Sequence, residues 1–273
     1  MCRHLVYLGP PVPLAALLFD PPHGLVHQSW APREMRGGGT VNADGFGVAW
    51  YPATATGSDS GWQTDSGSGS APGTGAGTGE PARYRRAIPI WADAALPALA
   101  ASTRSGAVLA AVRSATVGMP VVETAAAPFS DGRWLFSHNG MVPGWPDTLV
   151  GLAAELPTRD LLTLDAPTDA ALLWALVRQR LRSGTSPERA VAETVRAVAD
   201  AAPGARLNLL LTDGRTAVAS AAGHALSVRA GAGSTLICSE PLDDDPAWAG
   251  VPDGHLVVAT IDDVHLRPIG ELV

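Results

Sequence analysis

Lysine is missing from this sequence altogether. All 19 basic residues are arginine, against 26 acidic ones, and the formal net charge is −7. The abundance of arginine, alanine and glycine fits a GC-rich genome and carries no functional message. No dense basic patch is present, which disfavours a nucleic-acid surface. Cysteine is scarce: Cys2 and Cys238 are the only two. A bridge between them stays open at this point, but a single pair is no disulfide framework. Long apolar runs are also lacking, because Pro, Arg or Asp interrupts every candidate, so no segment reads as a membrane span. The first ten residues have neither the basic region nor the apolar region of a secretory leader. A soluble cytoplasmic protein is the expectation. The seven histidines never recur at chelating spacing, so no metal site is expected.

What is present can bury a core. Apolar residues make up 46% of the chain and charged residues 16%, which excludes a disordered protein. Strands are expected at 2–8 and at 45–51 (GFGVAWY), with one or two helical turns at 14–18 between them. Residues 54–80 hold Gly, Ser, Thr, Ala and Pro with hardly an aliphatic side chain, and read as a flexible surface insertion. Its Gly73-Thr74-Gly75-Ala76-Gly77 has no strand before it and no helix after it, so it is not a nucleotide loop. Further strands are expected at 83–88, 108–113 and 134–139, and a helix with Pro97 inside it at 92–101. Leu172, Leu173, Leu176, Val177 and Leu181 recur at helical spacing and predict a helix from Asp169 to Arg182, capped by Thr168 or Asp169. A second helix starts near Pro187 and ends before Pro203-Gly204. Only strands follow, at 207–212, 217–220, 225–229, 235–239, 256–260 and 265–268. The order is α+β with mainly antiparallel sheets; two stacked sheets covered by helices satisfy it.

Cys2 is the first position with chemistry. Removal of an initiator methionine before a small residue would leave a cysteine beside its own α-amine. An α-amine with a pKa of about 7.7–8.0 accepts the thiol proton near neutral pH, so one residue supplies nucleophile and base. Ser137-His138-Asn139-Gly140 ends an apolar strand, and the Asn139 amide and the Gly140 N–H have the form of an oxyanion hole. An Asn-Gly turn is the plainer reading. Arg113, ending another apolar strand in Arg113-Ser114-Ala115-Thr116, suits bidentate capture of a carboxylate, or a surface ion pair. Trp30, Trp50, Trp91, Trp134 and Trp174 are expected in the core.

Taken in order, Cys2-Arg3-His4-Leu5, Asn42-Ala43-Asp44-Gly45-Phe46-Gly47, Arg113 to Thr116, Ser137 to Gly140 and Thr168-Asp169 resemble class II glutamine amidotransferase domains. The branch most similar is that of the γ-glutamyl hydrolases of ergothioneine biosynthesis. That resemblance also rests on Asp20 to Leu25 (DPPHGL), Gln28 to Arg33 (QSWAPR), ARLNLL at 205–210 and Ser239-Glu240-Pro241. It implies a four-layer αββα N-terminal-nucleophile hydrolase sandwich spanning 2–273 as one domain, interrupted at 54–80. It implies hydrolysis of γ-glutamyl-hercynylcysteine S-oxide to glutamate and hercynylcysteine S-oxide, with no cofactor or metal. Cys2 would be the nucleophile, Asn139 and Gly140 the oxyanion hole. Arg113 would hold the glutamyl α-carboxylate with Thr116 nearby, and Asp169 the α-ammonium. Trp30 is a candidate for the trimethylammonium group through cation–π contact. The chain departs from the common pattern at Val117, where many such domains carry histidine. A glutaminase subunit feeding ammonia to a separate synthase is the competing reading, and a non-catalytic binding module a third.

Overall fold

The computed structural model describes residues 2–34, 41–52 and 79–273. Met1 lies outside the described residues, and so does the insertion expected at 54–80 apart from Gly79 and Glu80, which are exposed. The described strands are β1 (Arg3–Pro13), β2 (Phe46–Trp50), β3 (Ala82–Arg86), β4 (Arg104–Val112), β5 (Phe129–Asp131), β6 (Trp134–Met141) and β7 (Arg206–Thr212). They continue with β8 (Ala217–Ala221), β9 (Ser227–Gly231), β10 (Ser234–Cys238), β11 (Ala249–Gly250), β12 (His255–Ala259) and β13 (Val264–Pro268). The helices are α1 (Ala15–Leu18), α2 (Leu25–Gln28), α3 (Leu96–Ser102), α4 (Val150–Ala154), α5 (Thr158–Leu162), α6 (Asp169–Arg182) and α7 (Pro187–Ala201). One sheet runs β11-β9-β10-β1-β4-β2-β3 and the other β13-β12-β8-β7-β6-β5, and the strand pairings are antiparallel.

The layering follows from the two-residue period of a strand. In β1, Leu5 and Tyr7 pack outward under α1 to α3, while Val6 and Leu8 pack inward against the second sheet. In β4, Val108, Ala110 and Val112 face outward and Leu109 inward. In the second sheet, Phe136, Leu207, Leu209 and Leu211 face α6 and α7, while Leu135, Leu210 and Ala217, Ala219 and Ala221 fill the middle. Four layers result: helices, sheet, sheet, helices. Both faces of both sheets are apolar because both are covered. Trp174 of α6 stacks on Phe136 with ring centroids 5.3 Å apart, anchoring that helix to its sheet. Val191, Thr194, Val195 and Val198 form the buried stripe of α7.

Several expectations need correction. A short helix not expected from the sequence, α2, starts directly after Gly24. The helix expected at 92–101 starts only at Leu96, which puts Pro97 in the first turn of α3, where its missing N–H costs no hydrogen bond. The Asn139-Gly140 pair is no turn: it lies within β6, opposite Asn208 and Leu207 of β7. Of the five tryptophans assigned to the core, Trp174 is 1% exposed, but Trp30 and Trp91 are each 43% exposed. The two cysteines are both free.

The inward stripe changes character at one end. In β6 it passes from Leu135 to Ser137 and Asn139. In β1 it passes from Leu8 and Val6 to His4 and, one step beyond the strand, Cys2. The apolar layer between the sheets thus gives way to polar groups where the two sheets' ends meet.

Candidate active site

Register brings the site together. Arg3 pairs with Val112 of β4, and Val112 pairs with Phe46 of β2, so Cys2 sits beside the chain leaving β4. Its thiol lies 3.8 Å from the Ser114 carbonyl oxygen. Asp44 braces the same segment: its carboxylate accepts from the Ala115 N–H (2.8 Å), and its own N–H donates to the Arg113 carbonyl (2.9 Å). Gly45 follows with φ +129°, a conformation that side-chain-bearing residues rarely adopt, and its carbonyl accepts from the Arg113 N–H. Asp44 and Gly45 therefore hold the main chain of Arg113 and Ala115 on either side of Ser114.

Cys2, Arg113, Ser114, Thr116, Gly140, Thr168 and Asp169 line one cleft, together with Met119, Phe129 and His138, around about 490 Å³ of space that includes its open mouth. The Arg113 guanidinium donates to the Pro120 carbonyl (2.8 Å) and has no carboxylate partner among the described residues. Asp169 opens α6 and is 5% exposed. Its carboxylate accepts from the N–H groups of Ala170 (2.7 Å) and Val142 (3.1 Å). Thr168 caps the helix by accepting from Ala171 (3.3 Å). An unpaired cation and a buried carboxylate thus share the cleft with a thiol. That is the complement of the two charged ends of an α-amino acid, with its side chain reaching the sulfur.

Two of the residues singled out in the sequence are not brought into the lining. Asn139 is 1% exposed and turns into the space between the sheets, where its Nδ2 lies 3.1 Å from Ser239 Oγ. Trp30 stands edge-on to His27 and to Trp91, with ring centroids 5.5 and 5.8 Å away. Val117, the departure from the family pattern, is fully exposed.

A buried network behind Cys2 has no counterpart among the sequence motifs. Arg3, 2% exposed, donates through one terminal nitrogen to the Cys2 carbonyl (3.0 Å) and through the other to the Glu34 carbonyl (2.6 Å). Its Nε lies 2.5 Å from Glu240 Oε1. Glu240 Oε2 accepts from His23 Nε2 (2.7 Å) and from the Arg33 N–H (2.7 Å). Burial pushes this carboxyl up, but the hydrogen bond from His23, the charge of Arg3 and the Arg33 N–H outweigh it and hold the pKa at about 2. The only sequence signal was a charged residue at the start of an apolar strand and the Ser-Glu-Pro run.

His4, two residues from Cys2, is a poor base. Burial, with His138, Arg3 and His224 close by, pushes His4 from 6.5 down to about 3. Burial, with Arg206, Arg3 and His138, brings His224 to about 3 as well. These shifts also set acid sensitivity. Both histidines take a proton more readily unfolded than folded, so stability is full above pH 6.5 and declines as pH falls from there toward 3. Glu240 adds to this: its contribution is present above its ordinary 4.5 and is lost as pH falls through about 2. The urea midpoint is expected to be flat above pH 7 and to fall steadily below 6.5, and His224→Gln to make that fall shallower. A midpoint unchanged between pH 7 and 5 would contradict the assignment of neutral buried histidines.

No family model matches the chain. The γ-glutamyl-hercynylcysteine sulfoxide hydrolase of Mycolicibacterium smegmatis is 38% identical over 266 residues, covering 97% of this chain and 98% of that protein. The chain belongs to this hydrolase family. The family member from Mycobacterium tuberculosis is 37% identical over 269 residues, 98% of this chain and 97% of that one. Among solved structures, a class II glutamine amidotransferase domain protein from Silicibacter pomeroyi superposes with a TM-score of 0.64 at 23% identity, covering 98% and 99% of the two chains. The fold is that of the class II amidotransferases, an N-terminal-nucleophile sandwich, and among the described residues no helix is long and apolar enough to cross a membrane.

Proposed function

We propose that this chain hydrolyses the γ-glutamyl amide of γ-glutamyl-hercynylcysteine S-oxide, using Cys2 freed by loss of Met1. The observation that carries the reading is that Cys2, Arg113, Gly140 and Asp169 line one cleft, in a chain 38% identical to a hydrolase of that name. Arg113 binds the glutamyl α-carboxylate and Asp169 the α-ammonium, with Thr116 at the rim. This leaves the γ-carbonyl at the sulfur. His4 is held too far below neutral pH to serve as base, which favours the α-amine of Cys2 in that role. The amine takes the thiol proton and the thiolate adds to the γ-carbonyl. The oxyanion that forms is met by the Asn139 amide and the Gly140 N–H. The amine then returns the proton to the departing nitrogen, releasing hercynylcysteine S-oxide and leaving a γ-glutamyl thioester on Cys2. Water, deprotonated by the same amine, adds to the thioester and releases glutamate.

The test is glutamate release by Met1-free enzyme from γ-glutamyl-hercynylcysteine S-oxide, glutamine and glutathione in parallel. Preference for the sulfoxide supports the reading, whereas preference for glutamine replaces it with a glutaminase serving a separate synthase. Removing each of the two side-chain charges gives a second check. Arg113→Met and Asp169→Asn are each expected to raise KM or lower kcat/KM by about 10²-fold or more, since each leaves a substrate charge unpaired in the cleft. Activity within threefold of wild type for either would remove that residue from substrate binding.

A further inference from the structure

Ser239, singled out in the sequence only as part of Ser239-Glu240-Pro241, follows β10 and is 1% exposed. It is tied to the nucleophile strand twice: its N–H donates to the His4 carbonyl (2.9 Å), and its Oγ accepts from the His4 N–H (3.0 Å). Across the gap between the sheets the same Oγ lies 3.1 Å from Asn139 Nδ2. In that orientation Ser239 Oγ accepts twice and neither contact takes its hydrogen, while Asn139 Oδ1 is buried with no partner among the described residues. The two ends of a carboxamide are nearly the same size and shape, so the contact can be made either way round. Turned over, Ser239 donates its hydroxyl hydrogen to Asn139 Oδ1 and still accepts from His4. Hydroxyl and carbonyl are then both satisfied, and the amide NH₂ takes the place of the orphaned oxygen as an uncommitted donor. The turned-over form satisfies the Ser239 hydroxyl hydrogen as well, and the group it leaves unpaired is a donor, which an incoming oxyanion can meet.

We propose that Ser239 is a positioning residue for the hydrolysis: it fixes the orientation of the Asn139 amide so that Nδ2 presents hydrogen to the oxyanion. This rests on the γ-glutamyl hydrolase reading above. Among the described residues the Asn139 side chain makes one hydrogen bond, to this hydroxyl, so its orientation is set there. Because Ser239 also grips His4, two residues from Cys2, it couples the oxyanion strand of one sheet to the nucleophile strand of the other.

The experiment is a double-mutant cycle on the Met1-free enzyme with Ser239→Ala, Asn139→Ala and the pair, reading kcat and KM for glutamate release from γ-glutamyl-hercynylcysteine S-oxide. The rate of Cys2 alkylation by iodoacetamide, which carries no glutamyl group, is read alongside. Ser239→Ala is expected to lower kcat by about 10- to 100-fold, less than the 10²–10³ of deleting an oxyanion donor. KM and the alkylation rate stay within about threefold. In the Asn139→Ala background the same change has little further effect, because Ser239 acts through Asn139. Should the alanine variant not fold, Ser239→Cys carries the test, since a thiol in the same place donates weakly and gives a lowered kcat. Wild-type kcat in Ser239→Ala or Ser239→Cys, additive losses in the pair, or a parallel fall in alkylation each overturn the assignment. A wild-type enzyme that releases no glutamate from any γ-glutamyl compound overturns the functional reading itself, and this assignment with it.

Discussion

Cys2→Ala is expected to lower glutamate release by on the order of 10⁴-fold or more while leaving the fold and its melting temperature nearly unchanged. The size follows from the number of jobs the residue holds. In the proposed mechanism its sulfur forms the thioester and its amine moves every proton in the cycle. His4 is buried and held at about 3, and His224 likewise, so neither of these two imidazoles takes over as base near neutral pH. Stability is spared because Cys2 lies just before β1 and is only partly buried. Its carbonyl, held by Arg3, is a main-chain atom that the substitution does not remove. A chain that keeps Met1 is expected to match the alanine variant, because its amine is one residue away from the sulfur. Intact-mass measurement together with kcat checks both. A variant lacking the Cys2 thiol yet retaining even a tenth of wild-type turnover would move the nucleophile elsewhere.

The second large effect is expected at Gly140, where the cost is paid in structure as well as rate. A Cβ built on Gly140 falls onto the Arg206 carbonyl oxygen and 2.5 Å from His138 Nε2. That nitrogen donates to the same Arg206 oxygen at 2.9 Å, so an alanine would strike the hydrogen bond joining β6 to β7. Backbone cannot step aside as a flexible side chain can, and overpacking of this kind costs about 1–3 kcal/mol or more. Gly140→Ala is therefore expected to lower the melting temperature by several degrees and kcat by about 10²-fold, since the displaced strand carries both of the proposed oxyanion donors. Gly151→Ala is the control: it lies in α4 with no heavy atom near its added Cβ, and should leave activity alone and be neutral to slightly stabilising. An active, stable Gly140→Ala enzyme would show that β6 is not held against β7 in the way described.

The regular elements were readable to the extent that they obeyed a period. α6 was placed at its observed limits because five apolar residues recur on one face and Thr168 stands ready as a cap. α7 was anchored by Pro187 in its first turn. The short α2, α4 and α5 went unseen, since four or five residues hold too little of a helical period to be told from a loop. Trp30 and Trp91 were misjudged as core because hydrophobicity says what a side chain can bury, not whether the fold covers it. Asn139-Gly140 illustrates the other limit. The dipeptide's local preference is a turn, and pairing with Asn208 and Leu207, some seventy residues away, overrode it.

The sequence by itself determined the chemistry on offer: a cysteine one step from the start of the chain, an arginine and an aspartate at the ends of regular elements, and an Asn-Gly pair after an apolar run. Order along the chain was enough to recognise the family, because motif order survives where contacts cannot be seen. Only the tertiary structure decided which of these groups share a cleft, that Arg3 and Glu240 form a buried pair behind the nucleophile, and that Ser239 meets Asn139. Those contacts join residues about 100 to 240 positions apart. They depend on which strand lies beside which and on which face each side chain takes in a stacked pair of sheets, and local sequence preference carries no information about either.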